Sequence, residues 1–326
     1  DHLERNTLDL RDVNTLVLDE ADRMLDMGFV DDITHVARQC PRERQTLLFS
    51  ATFPDGIERL AAQFLRTPER IAVEMQHAEH KIRQRFFEVD EAQRPEAVLR
   101  LLRHYRPVST IAFCNTKRRC REVVAALREA GIEAIELSGD LEQRDRDRAL
   151  LRFAQRSVSV LVATDVAARG LDIDALDAVI SVELTPDPEV HVHRIGRTGR
   201  GDAEGAAWAL VAPFEKVRAQ RIEEAQGRPL EWGTLAELEA SSDAPLVPPM
   251  ATLQILGGRK EKMRPGDVLG ALTAYAGFTR EQIGRIDVTD YLTFVAVERS
   301  IAKEAVLRLD GGMVKGRYVK VKLVEE

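Results

Sequence analysis

The chain has little cysteine, few aromatic residues and no long apolar run. Its three cysteines, Cys40, Cys114 and Cys120, form no C-x-x-C pair, so their spacing supports neither a disulfide framework nor a zinc site. Buried free thiols in a reducing compartment are expected instead. No apolar stretch approaches the roughly 18 residues of a membrane span, and the first residues do not resemble a signal peptide. We therefore expect a cytoplasmic protein with no membrane partner.

The chain also lacks a uniform charge. Its formal net charge is −7, but residues 251–326 carry 13 Lys and Arg against 10 Asp and Glu, or +3. The remaining residues carry 34 against 44, or −10. The negative total taken alone argues against nucleic-acid binding. A mildly basic C-terminal part on an otherwise acidic chain instead indicates that separate domains have separate functions.

Apolar strands alternate with amphipathic helices over most of the chain, and this pattern predicts an α/β fold built on parallel sheets. Residues 1–75 read as the later part of one such domain, and residues 76–227 as a second, complete one. The proline-rich stretch 228–250 reads as a linker. Residues 251–326 change to a βαββαβ order, which is typical of a small α+β sandwich such as the RNA-recognition modules.

Two polar stretches follow predicted strands in the first domain. Asp19-Glu20-Ala21-Asp22 follows the strand at 13–18, and Ser50-Ala51-Thr52 ends the strand that begins at Gln45. Ligands of open α/β sheets bind at the carboxyl ends of the strands. A carboxylate there can hold Mg²⁺ through water beside nucleotide phosphates, and its neighbour can orient an attacking water. The plain alternative is a solvated acidic turn that caps the next helix.

Two further stretches lie in the second domain. Residues 163–173, ATDVAARGLDI, follow a strand, and residues 193–200, HRIGRTGR, place three arginines at three-residue spacing. Guanidinium groups are planar and permanently charged, which suits the charge of a transferring phosphoryl group. A basic surface helix is the alternative, but such a helix would not need Gly196 and Gly199.

In this order the four stretches resemble the motifs of the DEAD-box RNA helicases, ATPases that clamp RNA between two RecA-like domains. The resemblance covers nearly the whole chain and implies ATP and Mg²⁺ as cofactors, with Asp19 on the metal and Glu20 positioning water. Asp172 would meet the ATP ribose, and Arg197 and Arg200 would contact the γ-phosphate. The residues implied to couple hydrolysis to domain movement are Asp22, Ser50, Thr52 and His193.

The same resemblance implies contacts with the RNA backbone in the second domain. It assigns them to Thr164, to Gln143 and Arg146, and to the loop at residues 115–117, which contains Thr116. These residues follow three different predicted strands.

Residues 256–272 look like the start of the C-terminal module of the DbpA-type subgroup, which binds a hairpin of large-subunit ribosomal RNA. A basic loop before the helix predicted at 266–276 suits phosphates, although a solvated charged loop is the alternative. The sheet itself offers few aromatic residues, with Tyr291 and Phe294 near its third strand, so contact through the loop and the module edges is expected. The cations of this basic loop are Arg259, Lys260, Lys262 and Arg264.

The resemblance implies an RNA-dependent ATPase that separates short RNA duplexes locally and acts on pre-ribosomal particles. The residues given contain no G-x-x-x-x-G-K-[ST] phosphate loop, so we expect this stretch of chain alone to be inactive. A non-catalytic RNA-binding protein with a decayed helicase core is the alternative. Against it, Asp19, Glu20, Arg197 and Arg200 are all present. A DNA helicase on the same core is a weaker third possibility.

Overall fold

The structure is a computed structural model of the 326-residue chain. The residues that it describes are 2–26, 28–50, 53, 55–72, 81–168, 176–199, 204–240 and 244–324. They divide into two compact units, Asp1–Glu74 and Met75–Glu326. Each unit is described by itself.

The described residues of the first unit form two parallel strands and three helices. Its elements are β1 (Thr15–Leu18), α1 (Ala21–Asp26), α2 (Val30–Gln39), β2 (Gln45–Leu48) and α3 (Asp55–Phe64). Leu18, Ile33, Ile57 and Leu60 form the centre of its core. The sequence also predicts a short strand after Glu69. Residues 70–72 form no strand, and residues 73–80 lie outside the described residues.

The second unit begins with a seven-stranded parallel sheet in the order β5-β6-β4-β7-β8-β3-β9. Its strands are β3 (Ile82–Glu88), β4 (Thr110–Cys114), β5 (Ala134–Leu137), β6 (Val160–Thr164), β7 (Ala178–Ser181), β8 (Gly205–Val211) and β9 (Trp232–Gly233). The helices between them are α4 (Arg94–Tyr105), α5 (Lys117–Glu129), α6 (Gln143–Ala154), α7 (Pro188–Ile195) and α8 (Lys216–Gln226).

Both faces of this sheet are covered, as β4 shows. Ala112 and Cys114 belong to the core that includes residues of α4 and α5, whereas Ile111 and Phe113 belong to the core with α6. Alternate residues of a strand point to opposite faces, so a strand packed on both sides is apolar throughout. The predicted parallel α/β fold is confirmed. The three cysteines are buried and free, as expected.

The proline-rich stretch at 228–250 contributes to the sheet. Within it, β9 pairs with β3 and extends the sheet by one strand. Beyond β9, His104 Nδ1 lies 2.7 Å from the Glu239 carbonyl oxygen, and Arg106 donates to the carbonyls of Ala244 and Pro245. The described part of this segment is therefore held against the second RecA-like domain.

The C-terminal module is a four-stranded antiparallel sheet in the order β11-β12-β10-β15, with helices on one face. Its elements are β10 (Met250–Leu256), α9 (Pro265–Gly270), β11 (Ile283–Val288), β12 (Leu292–Glu298), α10 (Ala302–Leu309), β13 (Met313–Val314), β14 (Arg317–Tyr318) and β15 (Val321–Leu323). The predicted βαββαβ order is confirmed. The last predicted strand is divided into β14 and β15, and α9 continues as a π-helix, Ala271–Tyr275.

The outer face of the module's sheet packs on the loop that follows α6. Gln155 Nε2 donates to Asp287 Oδ2 at 2.8 Å, and the Thr252 hydroxyl donates to Gln155 Oε1 at 2.9 Å. Ser157 Oγ lies 2.8 Å from the Thr252 hydroxyl oxygen. Gln155, Ser157 and Thr252 are each buried, so their hydrogen bonds hold the module and the second RecA-like domain together.

Candidate nucleotide and RNA sites

The acidic stretch and the serine stretch of the first unit meet where β1 and β2 end. The Phe49 amide donates to the Leu18 carbonyl at 2.8 Å, and the Ala21 amide donates to the Phe49 carbonyl at 3.0 Å. The Asp22 amide then donates to Ser50 Oγ at 3.2 Å. Asp22 is almost wholly buried. Residues 28 positions apart are thus joined at one edge of the sheet, whereas Thr52 lies outside the described residues.

Asp19 is exposed at this edge, and Glu20 beside it adopts a left-handed backbone with φ of 50°. That conformation is uncommon for residues other than glycine and often marks a functional turn. Asp19 Oδ1 accepts from the Glu20 amide at 2.9 Å. An exposed carboxylate fits Mg²⁺, which takes one or two protein carboxylates together with phosphate and water oxygens. Among the described residues no cluster of three or more His, Cys, Asp or Glu side chains could hold a metal alone.

A buried arginine joins three loops of the second domain. Arg194 donates through Nε and Nη2 to the two carboxylate oxygens of Asp165, at 2.8 and 2.7 Å. It also donates to Asn115 Oδ1 at 2.9 Å and to the Glu183 carbonyl at 2.7 Å. Asn115, Asp165 and Glu183 follow β4, β6 and β7, so the carboxyl ends of neighbouring strands are tied together.

Two of the residues expected to contact RNA are neighbours of this cluster in the sequence: Thr116 follows Asn115, and Thr164 precedes Asp165. Thr116 caps α5, since its hydroxyl accepts from the Arg119 amide at 3.2 Å. Arg146 donates to the Ala167 carbonyl at 2.7 Å, within the turn that follows Thr164. Gln143, in the first turn of α6, pairs with Asp147 at 2.7 Å. Arg146 of α6 is therefore held against the turn that follows Thr164. Thr116 and Gln143 lie at the starts of α5 and α6.

Two of the expected nucleotide-site residues of this domain are described. His193 is half-buried on α7, and Arg197 lies in the turn after it, where its carbonyl accepts from the Leu176 amide at 3.2 Å. Asp172 and Arg200 lie outside the described residues. His191, on the same helix, is buried against Gln84, and burial with the nearby Arg194 charge lowers its pKa to about 3. His191 is therefore neutral at physiological pH.

The basic loop of the module packs on the turn between β11 and β12. The amides of Arg259 and Lys260 donate to the carbonyls of Thr289 and Asp290, at 2.8 and 3.0 Å. A Cβ atom on Gly258 would lie 2.3 Å from the Thr289 carbonyl oxygen, so only glycine permits this approach. The loop is consequently held in one shape by its backbone.

The cations of the basic loop point to solvent. Arg259, Lys260, Lys262 and Arg264 are all exposed. Arg259 pairs with Asp290 at 3.1 Å, and Lys260 Nζ lies 5.9 Å from the centre of the Tyr291 ring. Among the described residues no carboxylate forms an ion pair with Lys262 or Arg264. Exposed cations on a fixed backbone suit phosphate groups better than a mobile charged loop would.

Sequence reasoning missed Arg194 as a site residue, although it lies between the expected His193 and Arg197. A signal was present. His191, Arg194 and Ile195 share one face of α7 and are all buried. An arginine on the buried face of a helix requires an acidic or carbonyl partner, and Asp165 in the neighbouring stretch supplies one.

Comparisons with known proteins agree with this arrangement. Three family models match in order along the chain: DEAD/DEAH box helicase at residues 1–60, Helicase conserved C-terminal domain at 93–202, and DbpA RNA binding domain at 252–323. The first covers the Asp19 and Ser50 stretches, the second the Arg194 cluster, and the third the basic loop.

Individual relatives match over much or all of the chain. The ATP-dependent RNA helicase DbpA of Escherichia coli K12 is 49% identical over 325 residues, covering 100% of this chain and 71% of the relative. The ATP-dependent RNA helicase CshA of Listeria monocytogenes is 40% identical, covering 93% of this chain and 56% of the relative. The structure of Saccharomyces cerevisiae Dbp5 bound to RNA and ADP BeF3 aligns with a TM-score of 0.65 at 31% identity, covering 73% of this chain and 63% of that one.

The fold and the ordered motif loops thus define a helicase of the RecA-like class with an added RNA-binding domain. The chain belongs to the DEAD-box RNA helicases, in the DbpA-type subgroup. None of the described helices combines the length and apolar character that crossing a membrane requires.

Proposed function

We propose that the protein of which these residues form part is an ATP-dependent RNA helicase that opens short RNA duplexes locally. The observation that carries this proposal is the Arg194 cluster. It gathers the loops after three parallel strands, two of which contain residues that the family resemblance assigns to RNA, beside the stretch that contains Arg197. ATP and RNA would close the two RecA-like domains, bend the strand, and release it after hydrolysis.

The chain's own residues supply the chemistry as follows. Asp19 would hold Mg²⁺, which when bound offsets negative charge on the phosphates. Glu20 would orient the attacking water, and Asp172 would meet the ribose. The Asp22–Ser50 hydrogen bond, with Thr52 and His193, would link the nucleotide site to domain movement. Arg197 and Arg200 would stabilise the charge that develops on the γ-phosphate.

The C-terminal module would select the RNA. Its basic loop presents the cations named above on a fixed backbone, and the relative with 49% identity is the E. coli helicase DbpA. We propose a hairpin of large-subunit ribosomal RNA, within pre-ribosomal particles in the cytoplasm, as its target. Phosphate contacts would position the RNA, while base contacts would specify it. Thr116, Gln143, Arg146 and Thr164 would then hold the neighbouring strand in the second domain.

The experiment is an ATPase assay on this chain alone and on the chain joined to an upstream segment that carries a G-x-x-x-x-G-K-[ST] loop. Ribosomal RNA and DNA of matched length are tested side by side as activators. Only the joined protein should respond, and only to RNA. The Arg200→Ala variant of the joined protein should lose roughly 10³-fold in turnover.

Three outcomes would contradict parts of this proposal. Hydrolysis by the chain alone would show that phosphate is held without the loop. Equal activation by DNA would favour a DNA helicase. A joined protein that binds RNA but never hydrolyses ATP would favour the non-catalytic RNA-binding protein.

A further inference from the structure

Three tyrosines of the C-terminal module are exposed, and two of them, Tyr275 and Tyr318, lie away from the turn at Tyr291 that the basic loop packs on. Tyr275 is 63% exposed and Tyr318 is 80% exposed. The chain has only four tyrosines, and Tyr105 is packed against Trp208 with ring centres 4.4 Å apart. Exposed aromatic rings beside cations are informative because base stacking uses exposed ring faces.

Tyr275 is exposed because the helix changes to a π-helix at Ala271–Tyr275. In a regular helix, Val268, Leu272 and Tyr275 would share one apolar stripe at positions i, i+4 and i+7. Instead the Ala276 amide donates to the Ala271 carbonyl at 2.9 Å, five residues back. The extra residue puts Ala276 into the core and turns Tyr275 outward. Single π-turns are rare in proteins, and those that occur are frequently found at functional sites.

Gly312 connects Tyr275 to the hairpin formed by β13 and β14. A Cβ atom at Gly312 would lie 3.3 Å from Tyr275 Cε1 and 3.0 Å from the Leu309 carbonyl oxygen, so the ring rests against the glycine. The next residue, Met313, pairs with Tyr318 across the hairpin. Val314, on the opposite face, is buried in the core. Tyr318 therefore faces away from the core.

The segment that carries Tyr318 is rich in cations, one of which, Lys315, forms an ion pair with Asp267 at 3.3 Å. Residues 311–324 contain four Lys and Arg and no Asp or Glu. Lys315 Nζ, at the tip of the hairpin, donates to the Lys262 carbonyl at 2.7 Å. The hairpin is thus continuous with the basic loop. Protein interfaces are depleted in lysine at their centres, whereas RNA-binding surfaces combine cations for phosphates with aromatic faces for bases.

We propose that Tyr275 and Tyr318 form a stacking surface for unpaired RNA bases beside the basic loop. This inference rests on the proposed RNA binding by the module. It attributes part of that binding to contacts with bases rather than phosphates. Stacking tolerates any base because every base has a π-face, so the pair would favour unpaired over paired nucleotides without reading their sequence.

The test measures binding of the full chain to a fluorescein-labelled RNA stem–loop by anisotropy, beside the same RNA with abasic loop nucleotides. Tyr318→Leu and Tyr275→Leu should each weaken binding about 10-fold, since stacking contributes that much per base. Tyr318→Phe keeps the ring and should bind within about twofold of wild type. The abasic RNA should bind wild type and Tyr318→Leu equally weakly.

One further variant separates this inference from the proposed function. Lys262→Ala changes only the basic loop. If it weakens binding while both leucine variants bind like wild type, the stacking surface is wrong and RNA binding by the loop stands. If wild type binds neither RNA, both proposals fail. If Tyr318→Leu weakens binding to intact and abasic RNA by the same factor, the ring does not contact bases and the inference is overturned.

Discussion

Arg194 is a buried guanidinium whose hydrogen bonds reach three loops. It is 1% exposed and has Asp165 as a two-point partner. Its other partners are an amide oxygen and a backbone carbonyl. The planar fork of arginine fits a carboxylate in this way, whereas a lysine ammonium is a single point of charge. The residue therefore acts as a positioning residue for loops that carry expected RNA and nucleotide contacts.

We expect Arg194→Lys to lower the free energy of unfolding by about 3 kcal/mol, because it leaves Asp165 and Asn115 with incomplete partners in a buried site. Urea unfolding of the full chain measures the loss. The matched control is Arg118→Lys, an 83% exposed arginine 3.5 Å from Glu122, which should change stability by less than about 0.5 kcal/mol. Equal losses of unfolding free energy in the two variants would show that the two-point contact of the buried guanidinium does not stabilise the fold.

At the scale of elements, a buried polar cluster and the Arg299–Glu133 ion pair, at 2.8 Å, join the module to the second RecA-like domain. The centre of the cluster is Thr252 on β10, which meets Gln155 and Ser157. Gln155 lies just after α6, and Arg156 beside it adopts a left-handed backbone with φ of 54°. The Asp287 carboxylate accepts from Nε2 of Gln155, so Oε1 of the same amide is left to accept the Thr252 hydroxyl.

Thr252→Val removes this hydroxyl without changing the shape of the side chain. It should lower the free energy of unfolding by about 1–3 kcal/mol, because the Gln155 carbonyl loses its donor in a buried contact. Hydrogen exchange at the Met250 amide, which donates to the Arg156 carbonyl at 3.3 Å, should accelerate. The control is Thr273→Val, whose hydroxyl bonds only the Leu269 carbonyl of its own helix, at 2.8 Å.

Thr273→Val should cost about 0.5 kcal/mol or less. Unchanged exchange at Met250 in Thr252→Val would mean that apolar packing, and not the polar centre, holds the module to the domain.

For the whole molecule, the distribution of charge matters more than its sum. The chain has a net charge of −7, yet the basic loop and the adjoining hairpin together carry six exposed cations: Arg259, Lys260, Lys262, Arg264, Lys315 and Arg317. Salt screens exposed charges beyond roughly 8–10 Å, so a distant acidic surface contributes little at the site of contact. RNA affinity should therefore follow the local cations.

We predict that log K for RNA binding falls linearly with log salt and that Lys262→Ala makes the slope less negative by roughly 0.7, the value for one phosphate contact on a single strand. Binding titrations between about 50 and 200 mM salt measure the slope. Arg221→Ala, an exposed arginine on α8 outside every expected site, is the control and should leave the slope unchanged. Equal slopes for Lys262→Ala and wild type would show that this lysine does not contact an RNA phosphate.

The sequence by itself determined the elements and the positions of the motif loops on them. Its apolar periodicities predict strands at Thr110–Cys114 and Leu292–Glu298 and a helix at Gln143–Ala154. These are the bounds of β4, β12 and α6, because strand and helix periodicities are local. It also places the Asp19 and Ser50 stretches at one sheet edge, because parallel strands have their carboxyl ends together.

Only the tertiary structure decided which distant residues meet. The anchoring of Arg194, the burial of Thr252 and the exposure of Tyr275 each depend on a partner or a helix irregularity that local pattern does not encode. Gln155 and Asp287 lie 132 positions apart, and nothing in either neighbourhood specifies the other. Their pairing follows from the packing of two complete domains, in which each buried polar group must find a donor or acceptor.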